Sequence, residues 1–209
     1  MQLNQVEIRV LGALIEKDMT TPDYYPMSLN ALVNACNQKT NREPVTSYDD
    51  GCVMEALEAL RGVQLAVFVH ESGSRVEKFR HRLGESFNFT RGELAVMAVL
   101  MLRGPQTVAE LRERAARLHV FEDSSAVEHT LHRLEGRQEQ PLAKLLPRLS
   151  GMKESRWAQL LGGEPDWSED QLAAPAQPNP AGLAERVENL EAELRALRAE
   201  FQRFREQFQ

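Results

Sequence analysis

The stretch LNQVEIRVLGAL, residues 3–14, can be laid on FTRGELAVMAVL, residues 89–100. Asn4 and Thr90 fall together, and each is followed three residues on by a glutamate, Glu7 and Glu93. That spacing is a capping box: the first side chain accepts a hydrogen bond from an unpaired N–H of the first turn, and the glutamate reaches back to the capping residue's own N–H. Both stretches are therefore expected to begin helices. The apolar positions coincide as well, with Ile8, Val10, Leu11 and Leu14 against Leu94, Val96, Met97 and Leu100.

Working outward, the correspondence continues at shrinking offsets. MSLNALVNAC matches QTVAELRERA, pairing Leu29 with Val108 and Leu32 with Leu111. VMEALEALRG matches VEHTLHRLEG, pairing Val53, Leu57, Leu60 and Gly62 with Val127, Leu131, Leu134 and Gly136. The first copy carries the longer loops, TTPDYYPM and KTNREPVTS, both rich in turn formers. After its third helix each copy turns to strand-favouring runs. LAVFVH and RVEKFRH flank a glycine-containing tip, and PLAKLLPRLSG precedes ESRWAQLLG, where Pro147 makes an irregular or edge strand.

Each copy thus reads helix, helix, helix, hairpin, the layout of a winged helix-turn-helix unit. The expected fold is mainly α with small β wings (α+β): a winged-helix domain over residues 1–86, a second over 87–163, a proline-rich linker over 164–182 and a C-terminal heptad helix over 183–209. Each winged-helix unit is expected to bury its own interior.

The chain of 209 residues is 42% hydrophobic and 27% charged, ordinary globular material. Its longest apolar run, LAVMAVLML over residues 94–102, is too short to span a bilayer and suits a buried helix. No export signal is read at MQLNQ. Cys36 and Cys52 form no C-x-x-C, so a reducing cytoplasm with both thiols as small core groups is expected. The net charge of −6 argues against an indiscriminate polyanion binder. It is unevenly spread: −3 over residues 1–85, +1 over 86–165 and −4 over 166–209.

In the tail, Leu183, Val187, Leu190, Leu194, Leu197, Phe201, Phe204 and Phe208 alternate in steps of four and three. That is the seam of a left-handed coiled coil. In a parallel dimer Arg186 meets Glu191 of the partner subunit, Glu193 meets Arg198 of the partner subunit, and Glu200 meets Arg205 of the partner subunit. All three pairs are opposite in sign. A homodimer is expected, against the alternative that this helix packs on its own body.

No G-x-S-x-G, glycine-rich phosphate loop or H-E-x-x-H occurs. His129 and His132 share a helix face but lack a third ligand at sensible spacing, so neither a metal nor any other cofactor is expected. Asp49 and Asp50 at a helix start are accounted for by the helix dipole. No enzyme is read here.

Three segments carry a resemblance to a known family. TTPDYYPMSLNALVNACNQKTNREPV (residues 20–45), MLRGPQTVAELRERAARLHVFED (101–123) and ESRW (154–157), together with the terminal heptads, resemble the bacterial YceH-like proteins. The resemblance implies two winged-helix domains. It implies no catalytic residues and little about activity.

For function, the third helix of the first copy is the difficulty. YDDGCVMEALEALRG, residues 48–62, sets Asp49, Asp50, Glu55 and Glu58 against Arg61. Acid close to phosphates costs affinity, so a DNA contact must lean on its surroundings. Those are Lys39 and Arg42 before the helix, Thr46, Ser47 and Tyr48 at its start, and Arg75, Lys78 and Arg80 on the wing, with Arg82 a further candidate. Contact with about 4–6 phosphates implies a salt slope of roughly −4 to −5 per protomer. Arg112, Arg114, Arg117, Arg133 and Arg137 of the second copy read equally as a solvated face paired with glutamates. The expectation is a dimeric DNA-binding regulator. The alternative is a protein-interaction scaffold whose acidic third helix suits a basic partner.

Overall fold

A computed structural model describes residues 2–70 and 76–168. The hairpin tip with Arg75, most of the linker and the whole heptad seam from Leu183 to Phe208 lie outside the described residues, and with them the expected dimer contact.

The fold is mixed α+β, with seven α-helices and two small antiparallel sheets among the described residues. The first half runs α1 (Gln5–Thr20), a 3₁₀ turn (Pro22–Tyr24), β1 (Met27–Ser28), α2 (Leu29–Cys36), α3 (Asp50–Gly62), β2 (Ala66–Val69) and β3 (Lys78–His81). A short α4 (Leu83–Phe87) leads on to α5 (Arg91–Arg103), α6 (Val108–Ala115), α7 (Ser124–Glu135), β4 (Ala143–Leu145) and β5 (Trp157–Gln159).

The capping chemistry sets the registers. Asn4 and Thr90 both form complete capping boxes at the starts of α1 and α5. Ser28 and Thr107 cap α2 and α6, and Asp49 and Asp123 cap α3 and α7. Each pair falls at the offset that the apolar alignment gave its helix. The matched core positions Leu32 and Leu111, Val53 and Val127, Leu57 and Leu131, Leu60 and Leu134 are all fully buried.

The sheets correspond too. The first is ordered β1-β3-β2, with Met27 opposite Phe79 and Phe79 opposite Phe68. In the second, β4 pairs with β5 and Leu145 faces Trp157. Gln106 takes the place of β1, exchanging two backbone hydrogen bonds with Trp157 at 3.0 and 2.7 Å. Pro147 falls just beyond β4, as its missing N–H requires.

The expectation of two separately filled interiors gives way to one shared core. The described residues form one compact unit, and a single apolar cluster runs from Leu3 to Leu161. Its centre is the pair α1 and α5. Ile8 through Glu16 are all buried on α1, and Ala95 through Leu102 on α5. Helices covered on all sides need a second helix, not only their own hairpin, to exclude water. Gly12 allows the close approach: a Cβ there would lie 3.0 Å from Met101 Cβ and 3.1 Å from Leu102. The end of the second half returns to the start of the first, where Leu3 N–H donates to the Leu161 carbonyl at 2.7 Å. No helix among the described residues is long and apolar enough to cross a membrane.

Candidate nucleic-acid interface

The α3 surface begins with its cap. Asp49 Oδ1 accepts from Cys52 N–H at 2.8 Å, which leaves the acid at the helix start, where the dipole favours it. Val53, Ala56, Leu57 and Leu60 face inward, and Asp50, Glu55, Glu58 and Arg61 are exposed. Arg61, the single basic residue of the helix, is drawn back on itself. Its Nη2 lies 2.6 Å from Glu58 Oε2, and its guanidinium stacks 4.3 Å over the Phe68 ring. The face presented to solvent is thus acidic.

The residues expected to offset that acid are dispersed. Lys39 and Ser47 are exposed. Tyr48 is half-buried against the core, its N–H donating to Asn37 Oδ1 at 2.8 Å, and burial pushes its phenol up from the usual range. Thr46 is committed inward: its hydroxyl reaches the Cys36 carbonyl and Asn37 Oδ1, both at 3.3 Å, and accepts from Arg9 at 3.4 Å.

Arg42 departs furthest from the expectation of a phosphate contact. Its side chain has no exposed surface, its Nη1 lies 2.5 Å from the equally buried Glu16, and its Nε donates to the Ala35 carbonyl at 3.0 Å. A guanidinium taken out of water needs a charge partner and satisfied donors, and α1 supplies the carboxylate. The loop between α2 and α3 is thereby pinned to the protein rather than to a ligand. Beneath it, burial pushes the Cys36 thiol up to about 12.

On the wing, Lys78 is half-buried and Arg80 is partly exposed. Arg80 Nη1 lies 2.7 Å from Glu85 Oε1, and Arg82 Nε lies 2.8 Å from Glu85 Oε2. These two hydrogen-bonded cations bring the Glu85 carboxyl down to about 2. Arg82 stands just beyond β3, at the start of α4, rather than on the wing strand. Of the expected contacts, the described residues leave Lys39, Ser47 and a partly covered wing.

The α7 surface differs. An open cleft of about 470 Å³ is lined by Glu93, His129, His132, Arg133, Gly136 and Arg137. His132 Nδ1 lies 3.1 Å from Glu135 and its ring meets Trp157 edge-on. Arg133 reaches the buried Glu93 at 3.4 Å. Arg137 donates to the Phe87 carbonyl at 2.6 Å and lies over the stacked rings of Phe87 and Phe89. Sequence reasoning missed these aromatic seats, and the pairing of residues 87 and 89 across a turn was their only local signal.

Two like halves, each of three main helices and a small hairpin, define a mixed α+β chain. A family model described as "Protein of unknown function, DUF480" matches residues 3–152. The chain is 52% identical over 209 residues to a "UPF0502 protein" of Solibacter usitatus, covering 100% of this chain and 98% of that one. It is 54% identical over 193 residues to a "UPF0502 protein" of Citrifermentans bemidjiense, covering 92% and 88%. A third "UPF0502 protein", from Opitutus terrae, is 48% identical over 196 residues, covering 94% and 83%. The chain belongs to the DUF480 (UPF0502) family.

Proposed function

We propose that this is a non-enzymatic cytoplasmic protein of two tandem winged helix-turn-helix units that binds DNA as a regulator and dimerises through the heptad segment of residues 183–209. The observation that carries the reading is the repeated order of helix, short strand, helix, helix and hairpin. It comes with the strand order β1-β3-β2 in the first half and with Gln106 against Trp157 in the second. This order supports the reading, because a winged helix-turn-helix unit uses its third helix and its wing together. The same order agrees with the YceH-like resemblance. A screen of labelled duplexes at low salt tests it. Binding tighter than micromolar that falls linearly on a log–log salt plot supports it, and binding no better than micromolar background sinks it. Dimerisation is tested separately, by sedimentation of the full chain against one ending near Pro180: equal stoichiometry removes the tail from the proposal.

The acidic face of α3 favours a second reading, a scaffold that docks a basic protein segment there. Its test is a pull-down. One stoichiometric partner lost on Glu55→Lys, with no nucleic acid in the eluate, selects the scaffold over the regulator.

A further inference from the structure

Cations gather where the loop before α3 meets the ends of α1, α5 and α6, and among the described residues they outnumber the acids that pair with them. Glu16 of α1 divides its two oxygens between Arg42 Nη1, at 2.5 Å, and Arg117 Nη2, at 2.8 Å. Glu110 of α6 likewise serves two. Arg156 grips it at 2.7 and 3.3 Å, leaving Arg114 at 3.6 Å. Arg103, at the end of α5, is held by a neutral group, the Asn41 side-chain oxygen. The Asn41 carbonyl in turn accepts from Arg42 at 2.9 Å. Lys17 follows Glu16 on α1, and the Glu43 backbone is tied to the end of α5 by its N–H, which donates to the Leu102 carbonyl at 2.9 Å, with its charge acting on Arg103. Among the described residues, six cations thus gather round Glu16 and Glu110, with Glu43 acting on Arg103, in a chain whose overall charge is −6.

The helix ends explain part of this. Lys17, Arg103 and Arg114 lie in last turns, where the dipole favours cations. Arg42, Arg117 and Arg156 lie outside helices and need another reason. Arg42 Nη2 is buried without a hydrogen-bond partner among the described residues. Burial lowers the proton affinity of Arg103, and Arg114 and Arg117 lower it further. Burial does the same to Lys17, with Arg42 and Arg117 adding to it against the opposing pull of Glu16. The cluster repels itself, and an added anion relieves it. Arg117 keeps 43% of its side chain exposed and Arg114 28%, so the surplus faces solvent. The cations are spread over several elements rather than round one small cavity. That suits a row of phosphates, which guanidinium forks match in geometry.

We propose that this seam, built by both halves, is a docking surface for the phosphate backbone of duplex DNA, made by residues other than those of α3. The inference rests on the DNA reading above and moves the principal contact off the third helix and the wing.

The test uses the full chain and a labelled duplex of about 30 base pairs, followed by anisotropy from about 50 to about 200 mM salt. Arg103→Gln and Arg114→Gln are each expected to weaken binding roughly five- to tenfold at low salt and to shallow the salt slope by about one. Glu110→Gln keeps the capping geometry of α6 while removing an acid, and it is expected to tighten binding. A gain of that kind cannot come from misfolding. Duplex binding that ignores all three variants yet falls on Lys39→Ala or Lys78→Ala overturns the inference and leaves the DNA reading standing. A chain that binds no duplex, or binds an acidic protein through these arginines instead, overturns both.

Discussion

The third helices α3 and α7 share their buried positions and differ in what they show to water. Val53, Leu57 and Leu60 occupy the inward places that Val127, Leu131 and Leu134 occupy in the second half, all without exposed surface. At the outward places, Asp50, Glu55, Glu58 and Arg61 correspond to Ser124, His129, His132 and Glu135. Packing fixes the first set, because each position has neighbours that a different volume would disturb. The second set is held only by surface contacts, such as Arg61 with Glu58 and Phe68 or His132 with Glu135 and Trp157, which allow more variation. A duplicated fold therefore does not carry a duplicated surface, and a function read from one third helix does not transfer to the other.

The shared core is where that comparison is most easily broken. If the halves were independent, damage at their junction would spare at least one of them. Glu16→Gln removes the charge facing both Arg42 and Arg117 and leaves Arg42 buried without a carboxylate. Breaking a buried pair from one side costs about 3–5 kcal/mol. Urea unfolding followed by circular dichroism is expected to show one earlier transition for the whole unit. Two separate transitions would mean that the halves fold alone.

The equivalence of the inward positions is tested next. Leu57→Ala and Leu131→Ala are each expected to cost about 2–5 kcal/mol and to fall within a factor of two of one another. Both leucines are wholly buried in one apolar cluster. A large loss in one half beside a negligible loss in the other would show that the core is centred on one unit only. Smaller, and matched for the same reason, are the caps. Asp49→Ala and Asp123→Ala each lose one hydrogen bond of 2.8 Å to a first-turn N–H, for about 1 kcal/mol by thermal melting. Their consequences for DNA should differ. Only the α3 variant removes charge from a face dominated by acid, so only it raises affinity if that face approaches phosphate at all.

What the sequence made legible follows the reach of each interaction. The capping boxes at Asn4 and Thr90 act over three residues, so the starts of α1 and α5 could be read directly. The run over residues 94–102 has no polar face, and that foretold a buried helix. It did not foretell that α1 would be its cover, because that depends on Gly12 admitting Met101 and Leu102, nearly ninety residues away. Arg42 shows the same reach. A loop arginine before a third helix has the local look of a phosphate contact, and the carboxylate it pairs with in the fold, Glu16, is 26 residues distant. The arginine seam draws on residues 17 to 156, a convergence no local window contains. Arg75 and the heptad seam lie outside the described residues, so the comparison of the halves rests on the two three-helix sets and their hairpins.

The smallest expected effect concerns the wings. The Arg80 and Arg82 hydrogen bonds bring the Glu85 carboxyl to about 2 from an ordinary 4.5. A depressed carboxyl stabilises the folded state above its unfolded value, so the contribution is complete above about pH 4.5 and fades as pH falls towards 2. All three side chains are solvent-facing, so screening keeps the effect on melting small. The informative measurement is a carboxyl titration by nuclear magnetic resonance, with a midpoint near 2 expected for Glu85. An ordinary midpoint would mean that the two arginines are free in solution, and the wing would regain its claim as the phosphate contact. Glu85→Gln asks the same question through binding: it frees Arg80 and Arg82, and it should strengthen a duplex complex only if the wing of the first half touches the backbone.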